Sequence, residues 1–326
     1  MGLTDAYGRR INYLRLSVTD RCNLRCCYCM PAEGVSKLEH RDLLSYEELL
    51  RVSEACVREG VEKIRVTGGE PLVRKGLVPF LKELSGLAGL KELVLTTNGM
   101  LLQELALPLR KAGVARLNIS LDSLKPETFA RVTRGGDLAR VMSGIVTAEK
   151  AGFPPVKINM VVMRGINDQE ILDFAALTLK KAYTVRFIEY MPTLCDHEWG
   201  AQCMSGSEIL QRISERYPLL PLVSAEMAGP ARNFRIEGAA GAIGIITPIS
   251  GHFCESCNRI RVTAAGRVRS CLFSEQGVDL KPLLAMSDDD TLRQTVRRIV
   301  NEKPGRHHLA EEQEEKQRVN MSRIGG

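Results

Sequence analysis

The sequence predicts an α/β fold, namely an incomplete parallel (β/α)6 barrel of the TIM type with a smaller C-terminal α+β region that covers the barrel mouth. The first observation is that six short runs rich in β-branched residues alternate with amphipathic stretches. The second is that fewer repeats are found than the roughly eight that a complete barrel requires. The third is that helical regularity fades after residue 215, where turns and short strands take over. We therefore expect a barrel over residues 1–215 and a C-terminal region over 216–326.

The predicted strands come in a regular order along the barrel region. They are INYLRLSVT, VEKIRVTGG, KELVLTTNG, VARLNISLDS, VKINMVVM and TVRFIEYM. The helical stretches between them include SYEELLRVSEACVREG, in which Gly60 is the expected stop, and also LLQELALPLRKAG and DLARVMSGIVTAEKAG. Parallel barrels carry their active sites at the C-terminal ends of the strands. The polar and glycine-containing segments after these strands are therefore the candidate site.

Composition and charge narrow the setting. The chain has 326 residues, of which 44% are hydrophobic and 26% charged, as is typical of soluble globular proteins. The formal net charge of +6 is a weak indication of nucleic-acid binding but is compatible with a small anionic substrate. No apolar run approaches the ~20 residues of a membrane helix, and the first residues lack a signal-peptide pattern. We expect a cytoplasmic protein that binds neither a membrane nor nucleic acid.

A dense group of thiols lies in DRCNLRCCYCM at residues 20–30, with the spacing Cys22-x3-Cys26-x2-Cys29. Cysteines this close on a short loop cannot easily reach disulfide geometry. A structural zinc site needs four ligands, and no histidine stands nearby. Iron–sulfur clusters are normally held by four cysteines. Three cysteines thus favour a cluster with one iron left open to an external ligand, with zinc as the alternative.

A second group of thiols has the spacing Cys254-x2-Cys257-x13-Cys271. A zinc site with His252 as fourth ligand is one interpretation, and a second cluster with an open iron is the other. Arg259 and Arg261 stand two apart beside this motif, so they share a strand face. Paired guanidiniums beside an open iron would suit a purine nucleotide, because they can bind a phosphate or a base edge.

Basic residues recur within the predicted strands. They are Arg15, Lys63, Arg65, Lys157 and Arg186. Burying such charges is costly unless they meet anions. If several point inward, the barrel cavity would be lined with positive charge suited to a polyphosphate.

The stretch CNLRCCYC resembles the CxxxCxxC signature of the radical S-adenosylmethionine (SAM) enzymes. The resemblance implies that Cys22, Cys26 and Cys29 hold a [4Fe–4S] cluster, that Cys27 is not a ligand, and that SAM occupies the open iron. VTGGEPL similarly resembles the GGE-type motif of that superfamily. The residues implied to bind SAM are Tyr28, Gly69, Glu70, Ser120 and Met191.

Both thiol motifs, VTGGEPL, RFIEYMP, CNRIRVTAAGRVRSCLF and the tail MSRIGG together resemble the GTP 3′,8-cyclase family of molybdenum cofactor biosynthesis. The resemblance covers about residues 8–326. It implies a lyase that abstracts the C3′ hydrogen of GTP and joins C3′ to guanine C8, giving 3′,8-cyclo-7,8-dihydro-GTP. The implied ligands of a second [4Fe–4S] cluster, which would bind GTP, are Cys254, Cys257 and Cys271. The implied substrate-binding residues are Arg15, Lys63, Arg65, Thr96, Lys157, Arg259 and Arg261. The implied catalytic residues are Arg186, Gly325 and Gly326, the last two on a mobile tail.

The same resemblance implies several partners. They are GTP, a flavodoxin- or ferredoxin-like electron donor, a downstream cyclic pyranopterin monophosphate synthase and a second copy of the chain in a homodimer. Two alternatives stay open: a two-cluster radical SAM enzyme acting on a peptide, and a zinc-stabilised nucleotide-binding module. Four cysteines fit no ligand set: Cys27, Cys56, Cys195 and Cys203. We expect His307 and His308 at the surface.

Overall fold

The computed structural model describes residues 2–192, 199–223, 229–274, 277–286, 288–307 and 321–324. Its strands are β1 (Tyr13–Ser17), β2 (Lys63–Thr67), β3 (Glu92–Thr97), β4 (Arg116–Ser120), β5 (Lys157–Val162), β6 (Thr184–Glu189), β7 (Leu219–Leu222), β8 (Arg232–Ile236), β9 (Ala242–Ile246), β10 (Arg259–Val262), β11 (Arg267–Arg269) and β12 (Val278–Asp279). They form one sheet in the order β12-β11-β10-β1-β2-β3-β4-β5-β6-β9-β8-β7. The six predicted barrel strands are thus confirmed as β1 to β6.

The sheet is parallel in its centre and antiparallel at both edges. β10 and β9 run parallel to β1 and β6, so they continue the barrel on either side. β11 and β12 then follow antiparallel beyond β10, and β8 and β7 beyond β9. In the described residues β12 and β7 do not pair with each other, so the barrel stays open, as predicted. The C-terminal region therefore extends the barrel wall at both edges. The boundary at residue 215 stays a prediction.

Most of the helices pack outside this sheet, whereas the last one contributes Met321 to the cavity inside the barrel. The helices are α1 (Tyr46–Arg58), α2 (Leu77–Ser85), α3 (Leu102–Lys111), α4 (Pro126–Thr133), α5 (Leu138–Lys150), α6 (Ile171–Lys180), α7 (Trp199–Gln202), α8 (Gly206–Ser214), α9 (Lys281–Ala285), α10 (Asp289–Asn301) and α11 (Met321–Ile324). None in the described part of the chain is long and apolar enough to cross a membrane.

Helix α1 shows why the predicted boundaries hold. Ser45 and Glu48 form a capping box, in which each side chain accepts from the other's backbone N–H at 3.1 and 2.7 Å. The helix ends before Gly60, whose φ of +108° is readily available only to glycine. Cys56 is fully buried on the inner face of α1, so it packs as a small hydrophobic residue.

Strand periodicity separates the core from the cavity. Leu14 and Leu16 of β1 are fully buried in the hydrophobic core, which the outward faces of the strands share with the helices. Tyr13 and Arg15 alternate with them and face a cavity inside the barrel. The same period of two recurs in the neighbouring strands, so the apolar core surrounds a hollow barrel interior into which charged and polar side chains also point.

Candidate active site

One cavity inside the barrel is lined by both cysteine triads. Its lining includes Cys22, Cys26, Cys29, Cys254, Cys257 and Cys271. The first triad follows β1 at its carboxyl end, whereas Cys257 precedes β10 at its amino end. Because β10 runs parallel beside β1, the two triads reach the cavity from opposite ends of the sheet. The other predicted site residues that line this cavity are Arg15, Tyr28, Arg65, Gly69, Glu70, Thr96, Ser120, Arg186, Met191, Arg259 and Arg261.

Two glycines hold the first cysteine loop against β2. The Gly69 amide donates to the carbonyl of Thr19 at 2.7 Å, and the Glu70 amide donates to that of Arg21 at 2.8 Å. A β-carbon at Gly68 or Gly69 would collide with the backbone of these residues. Only glycine therefore allows the loop before Cys22 to lie so close to the turn.

The Glu70 carboxylate is buried and already has protein donors. It accepts from Thr97 Oγ1 at 2.8 Å, from the Asn98 amide at 2.7 Å and from the Leu72 amide at 3.1 Å. Burial outweighs these hydrogen bonds and raises the pKa of Glu70 to about 7. Glu70 thus fixes the ends of β2 and β3 beside the first triad, and it still lines the cavity.

A buried tyrosine–carboxylate pair stands beside the same triad. Tyr28 Oη donates to Asp122 Oδ2 at 2.8 Å, and the Val161 amide donates to Asp122 Oδ1 at 2.9 Å. Burial raises the pKa of Asp122 to about 6. The sequence interpretation overlooked Asp122, although it follows β4 in the same ISLDS segment as Ser120. Its position after a barrel strand was the available signal.

Cys27 faces away from the cavity. Its Sγ lies 3.9 Å from Met163 Sδ, and its amide donates to the Val132 carbonyl at 2.9 Å. Cys27 is absent from the cavity lining, which is compatible with its prediction as a non-ligand.

Guanidinium groups line the middle of the cavity. The Nε atoms of Arg15, Arg65 and Arg186 are buried, and no group in the described residues hydrogen-bonds to them. Burial and the nearby charges of Arg261 and Arg65 hold the pKa of Arg15 well below its ordinary value. Thr96 Oγ1 is likewise buried without a partner among the described residues. Such groups are costly unless they bind a ligand, so the cavity is built for a polar anion.

Basic groups also surround the second triad. Arg259 Nη2 lies 3.6 Å from Cys257 Sγ, and Lys303 Nζ donates to the Arg259 carbonyl at 3.0 Å. Burial alone would raise the pKa of Cys257, but Arg259 and Lys303 outweigh it and lower that pKa to about 6. Arg9 Nη1 donates to the Cys254 carbonyl at 2.7 Å. The sequence interpretation missed Arg9 and Lys303, which lie far from the motif along the chain.

Lys63 and Lys157 line a second cavity, at the amino ends of the strands, rather than the main one, and their role in substrate binding stays a prediction. Lys63 forms an ion pair with Glu92 at 2.7 Å. Burial, together with Arg186 and other nearby cations, lowers the pKa of Lys157 to about 7. Arg65 and Arg186 line both cavities, so the lysines lie beyond them, toward the amino ends of the strands.

The expectation that His307 is a surface residue was wrong. His307 is buried, lines the main cavity, and places its Nε2 at 3.3 Å from His252 Nδ1. Its ring packs on that of Phe273 with centroids 4.6 Å apart. Three other predicted positions, His308, Gly325 and Gly326, lie outside the described residues, as does Cys195.

Comparison with known proteins covers the whole chain. Residues 16–178 match the family model of the radical SAM superfamily, and residues 183–309 match the model Molybdenum Cofactor Synthesis C. GTP 3′,8-cyclase of Geobacter sulfurreducens is 60% identical over 326 residues, covering all of both chains. GTP 3′,8-cyclase of Moorella thermoacetica is 46% identical, covering 99% of this chain and 100% of its own. Among solved structures, Streptococcus suis SuiB bound to S-adenosylmethionine has a TM-score of 0.58 at 15% identity, covering 88% of this chain and 67% of that chain, and this likeness concerns the fold alone.

Proposed function

This chain belongs to the radical SAM superfamily and, within it, to the family of GTP 3′,8-cyclases, and on that premise we propose how its cavity carries out the reaction. The enzyme is a lyase that converts GTP to 3′,8-cyclo-7,8-dihydro-GTP in molybdenum cofactor biosynthesis. The observation that carries the assignment of the site is that both cysteine triads line one cavity, with buried guanidiniums between them.

The first triad and its neighbours form the SAM end. Cys22, Cys26 and Cys29 would hold one [4Fe–4S] cluster, which with SAM supplies the hydrogen-abstracting radical chemistry of the superfamily. SAM carries an ammonium group, and the buried carboxylates of Glu70 and Asp122 give this end an acidic lining. Four further residues of the cavity lining would complete the SAM site: Tyr28, Gly69, Ser120 and Met191.

The second triad and the arginines form the GTP end. Cys254, Cys257 and Cys271 would hold the second [4Fe–4S] cluster, with Arg259 and Arg261 beside the guanine. Arg15 and Thr96 lie in the same cavity with unsatisfied buried atoms. Arg186 would act in catalysis by holding the nucleotide between the triads. C3′, and no other carbon of the substrate, would then lie where hydrogen abstraction takes place.

The triphosphate would extend from this cavity into the second one, at the amino ends of the strands. Arg65 and Arg186 line both, and beyond them stand Lys63 and Lys157. A polyphosphate is ordinarily bound by several guanidinium and ammonium groups that follow one another along its length. This continuity supports all four residues as substrate ligands.

The terminal Gly325 and Gly326 would act on the substrate as a tail. Met321 of α11 lines the main cavity, and Ile324 is buried. The two glycines therefore follow a helix that already lies at the site. Residues without side chains suit a segment that enters a narrow cavity.

The remaining assignments are proposals about partners. A flavodoxin- or ferredoxin-like protein would supply electrons, and a cyclic pyranopterin monophosphate synthase would use the product. The chain would act in the cytoplasm as a homodimer.

The decisive experiment measures 5′-deoxyadenosine released from SAM by anaerobically reconstituted protein with a strong reductant, with and without GTP. We expect release that depends on GTP, together with a cyclised guanine nucleotide. Release that ignores GTP would move the substrate elsewhere, for example to a peptide. No release from protein with its full iron would contradict the SAM assignment of the first triad.

A further inference from the structure

A cluster of one thiol and two imidazoles stands beside the second triad. The ligand atoms of His252, Cys254 and His307 all lie within 4.8 Å of one another. We propose that, when the second cluster is absent, these three side chains bind a divalent ion of the zinc class. Cys254 would then belong to two metal sites that exclude each other, one with Cys257 and Cys271 and one with the two histidines.

The separation of the two imidazoles fits such an ion. Two nitrogen ligands at ~2.0–2.1 Å from a tetrahedral zinc lie roughly 3.3 Å apart. His252 Nδ1 and His307 Nε2 are 3.3 Å apart. An ion can therefore replace their hydrogen bond without either ring moving far. Cys254 Sγ must approach by up to about 1.3 Å, because a thiolate at ~2.3 Å from zinc lies roughly 3.5 Å from each nitrogen and the present separations reach 4.8 Å.

The site is partly built in advance. His307 is buried and its ring packs on Phe273 and edge-on to His252. The Cys254 loop is tied to the chain by Arg9 Nη1, which donates to the Cys254 carbonyl. Ligands held by packing and by backbone contacts lose little freedom when an ion binds.

Two existing contacts must yield. His307 Nε2 also lies 3.1 Å from the Pro248 carbonyl, and this contact would give way to the metal. Arg306 Nη2 lies 3.0 Å from His252 Nε2, where it donates to the ring. An imidazole bound through Nδ1 carries a proton on Nε2, so the exposed Arg306 side chain would have to leave. Removing Arg306 should therefore strengthen metal binding, both by freeing the ring and by removing a cation.

The test is a cobalt(II) titration of cluster-free, full-length protein in which Cys22, Cys26 and Cys29 are changed to Ser. Cobalt replaces zinc at sites of this type and shows thiolate charge-transfer and tetrahedral d–d absorption bands. We expect one ion per chain. His252→Ala and His307→Ala should each weaken binding at least tenfold, Cys254→Ser should remove the charge-transfer band, and Arg306→Ala should tighten binding severalfold. His40→Ala, at an exposed position, is the matched control and should change nothing.

The Cys257→Ser variant separates the proposal from its rival. Two imidazoles and one thiolate do not need Cys257, so cobalt affinity should stay within about twofold. If Cys257→Ser abolishes binding while both histidine variants bind normally, the ion sits on the three thiolates and the proposal is wrong.

A second measurement needs no variant. X-ray absorption at the zinc edge of zinc-loaded wild-type protein that retains its first cluster should show one sulfur and two imidazole nitrogens, whereas three sulfurs would overturn the proposal. Zinc loaded in this way should also prevent iron uptake on later reconstitution, so that the total iron content stays at half that of the two-cluster protein. None of these results bears on the cluster-loaded enzyme, so the proposed function and this site stand or fall separately.

Discussion

The two cysteine triads line the same cavity in opposite electrostatic surroundings. Around the first, burial and the nearby Asp122 hold the pKa of Cys26 well above its ordinary value. Around the second, Arg259 and Lys303 lower the pKa of Cys257 to about 6 despite its burial. The same kind of ligand set is thus placed in an acidic end and in a basic end. The difference supports the proposed division of the cavity, in which the acidic end would take the ammonium of SAM and the basic end an anionic nucleotide.

Removing one ligand from each triad gives the largest expected effects. Cys26→Ala and Cys257→Ala should both abolish the cyclised product. Only Cys26→Ala should remove SAM cleavage measured at saturating GTP, and only Cys257→Ala should weaken GTP binding, measured by equilibrium dialysis. Cys27→Ala, which alters a thiol outside the cavity, should retain both. If Cys26→Ala and Cys257→Ala weaken GTP binding equally, SAM and GTP do not bind at separate ends of the cavity.

Arg261→Ala should act on the GTP end alone. A charge-assisted hydrogen bond in a buried site is worth about 2 kcal/mol, so GTP affinity should fall roughly 30-fold. SAM affinity, measured by calorimetry, should stay unchanged. Arg267→Ala alters an exposed arginine at the start of β11, five residues beyond the end of β10, and is the control. A loss of SAM affinity in Arg261→Ala would mean that this guanidinium belongs to the SAM end of the cavity and not to the GTP end.

Tyr28→Phe probes the acidic end with the smallest possible change. It removes the hydroxyl that donates to Asp122 and leaves the ring. The loss of about 1 kcal/mol should raise the KM for SAM roughly fivefold and leave the KM for GTP unchanged. Tyr7→Phe, at a tyrosine that is 64% exposed, should match wild type. An unaltered KM for SAM would mean that the Tyr28–Asp122 pair does not contribute to SAM binding.

Lys157 should give a smaller, pH-dependent effect. Its pKa of about 7 in the free protein means that it is charged below pH 7 and loses its charge as the pH rises. A bound triphosphate favours the charged form, so GTP affinity should fall a fewfold between pH 6.5 and 8.5. Lys157→Arg, whose charge persists, should flatten this dependence, and Lys157→Met should flatten it at lower affinity. If the GTP affinity of Lys157→Met depends on pH as strongly as that of wild type, a group other than Lys157 is responsible for the pH dependence.

The alternation of residues along the strands predicted which side chains face the barrel interior, but it did not predict how deep they lie. Lys63 and Arg65 share a face, as their spacing required, yet only Arg65 reaches the main cavity. Two residues advance a strand by about 6.5 Å, which is enough to separate the two cavities. Depth depends on the stagger of neighbouring strands, which a single strand's pattern does not contain.

Contacts between segments that are distant along the chain could not be predicted from the sequence either. His307 reaches His252 and Pro248 from a segment that local composition marked as solvated, and Arg9 reaches Cys254 across most of the chain. Periodicity and motif spacing report on neighbours along the chain. They carry no information about which remote segments meet.

Arg9 also has a consequence for how the protein is made. Its guanidinium donates to the carbonyls of Cys254, Pro304 and Gly305, so it joins the first turn of the chain to nearly the last described segment. The first cysteine loop, by contrast, is hydrogen-bonded to segments in the first half of the chain, including Asn98, Asp122 and Val132, although Cys27 and Tyr28 also belong to a hydrophobic cluster with Tyr190. On the ribosome, the hydrogen bonds around the first triad can therefore form before those around the second, which need the segment near residue 305. We therefore expect the first cluster site to form earlier in synthesis than the second, and the basic end of the cavity to close last.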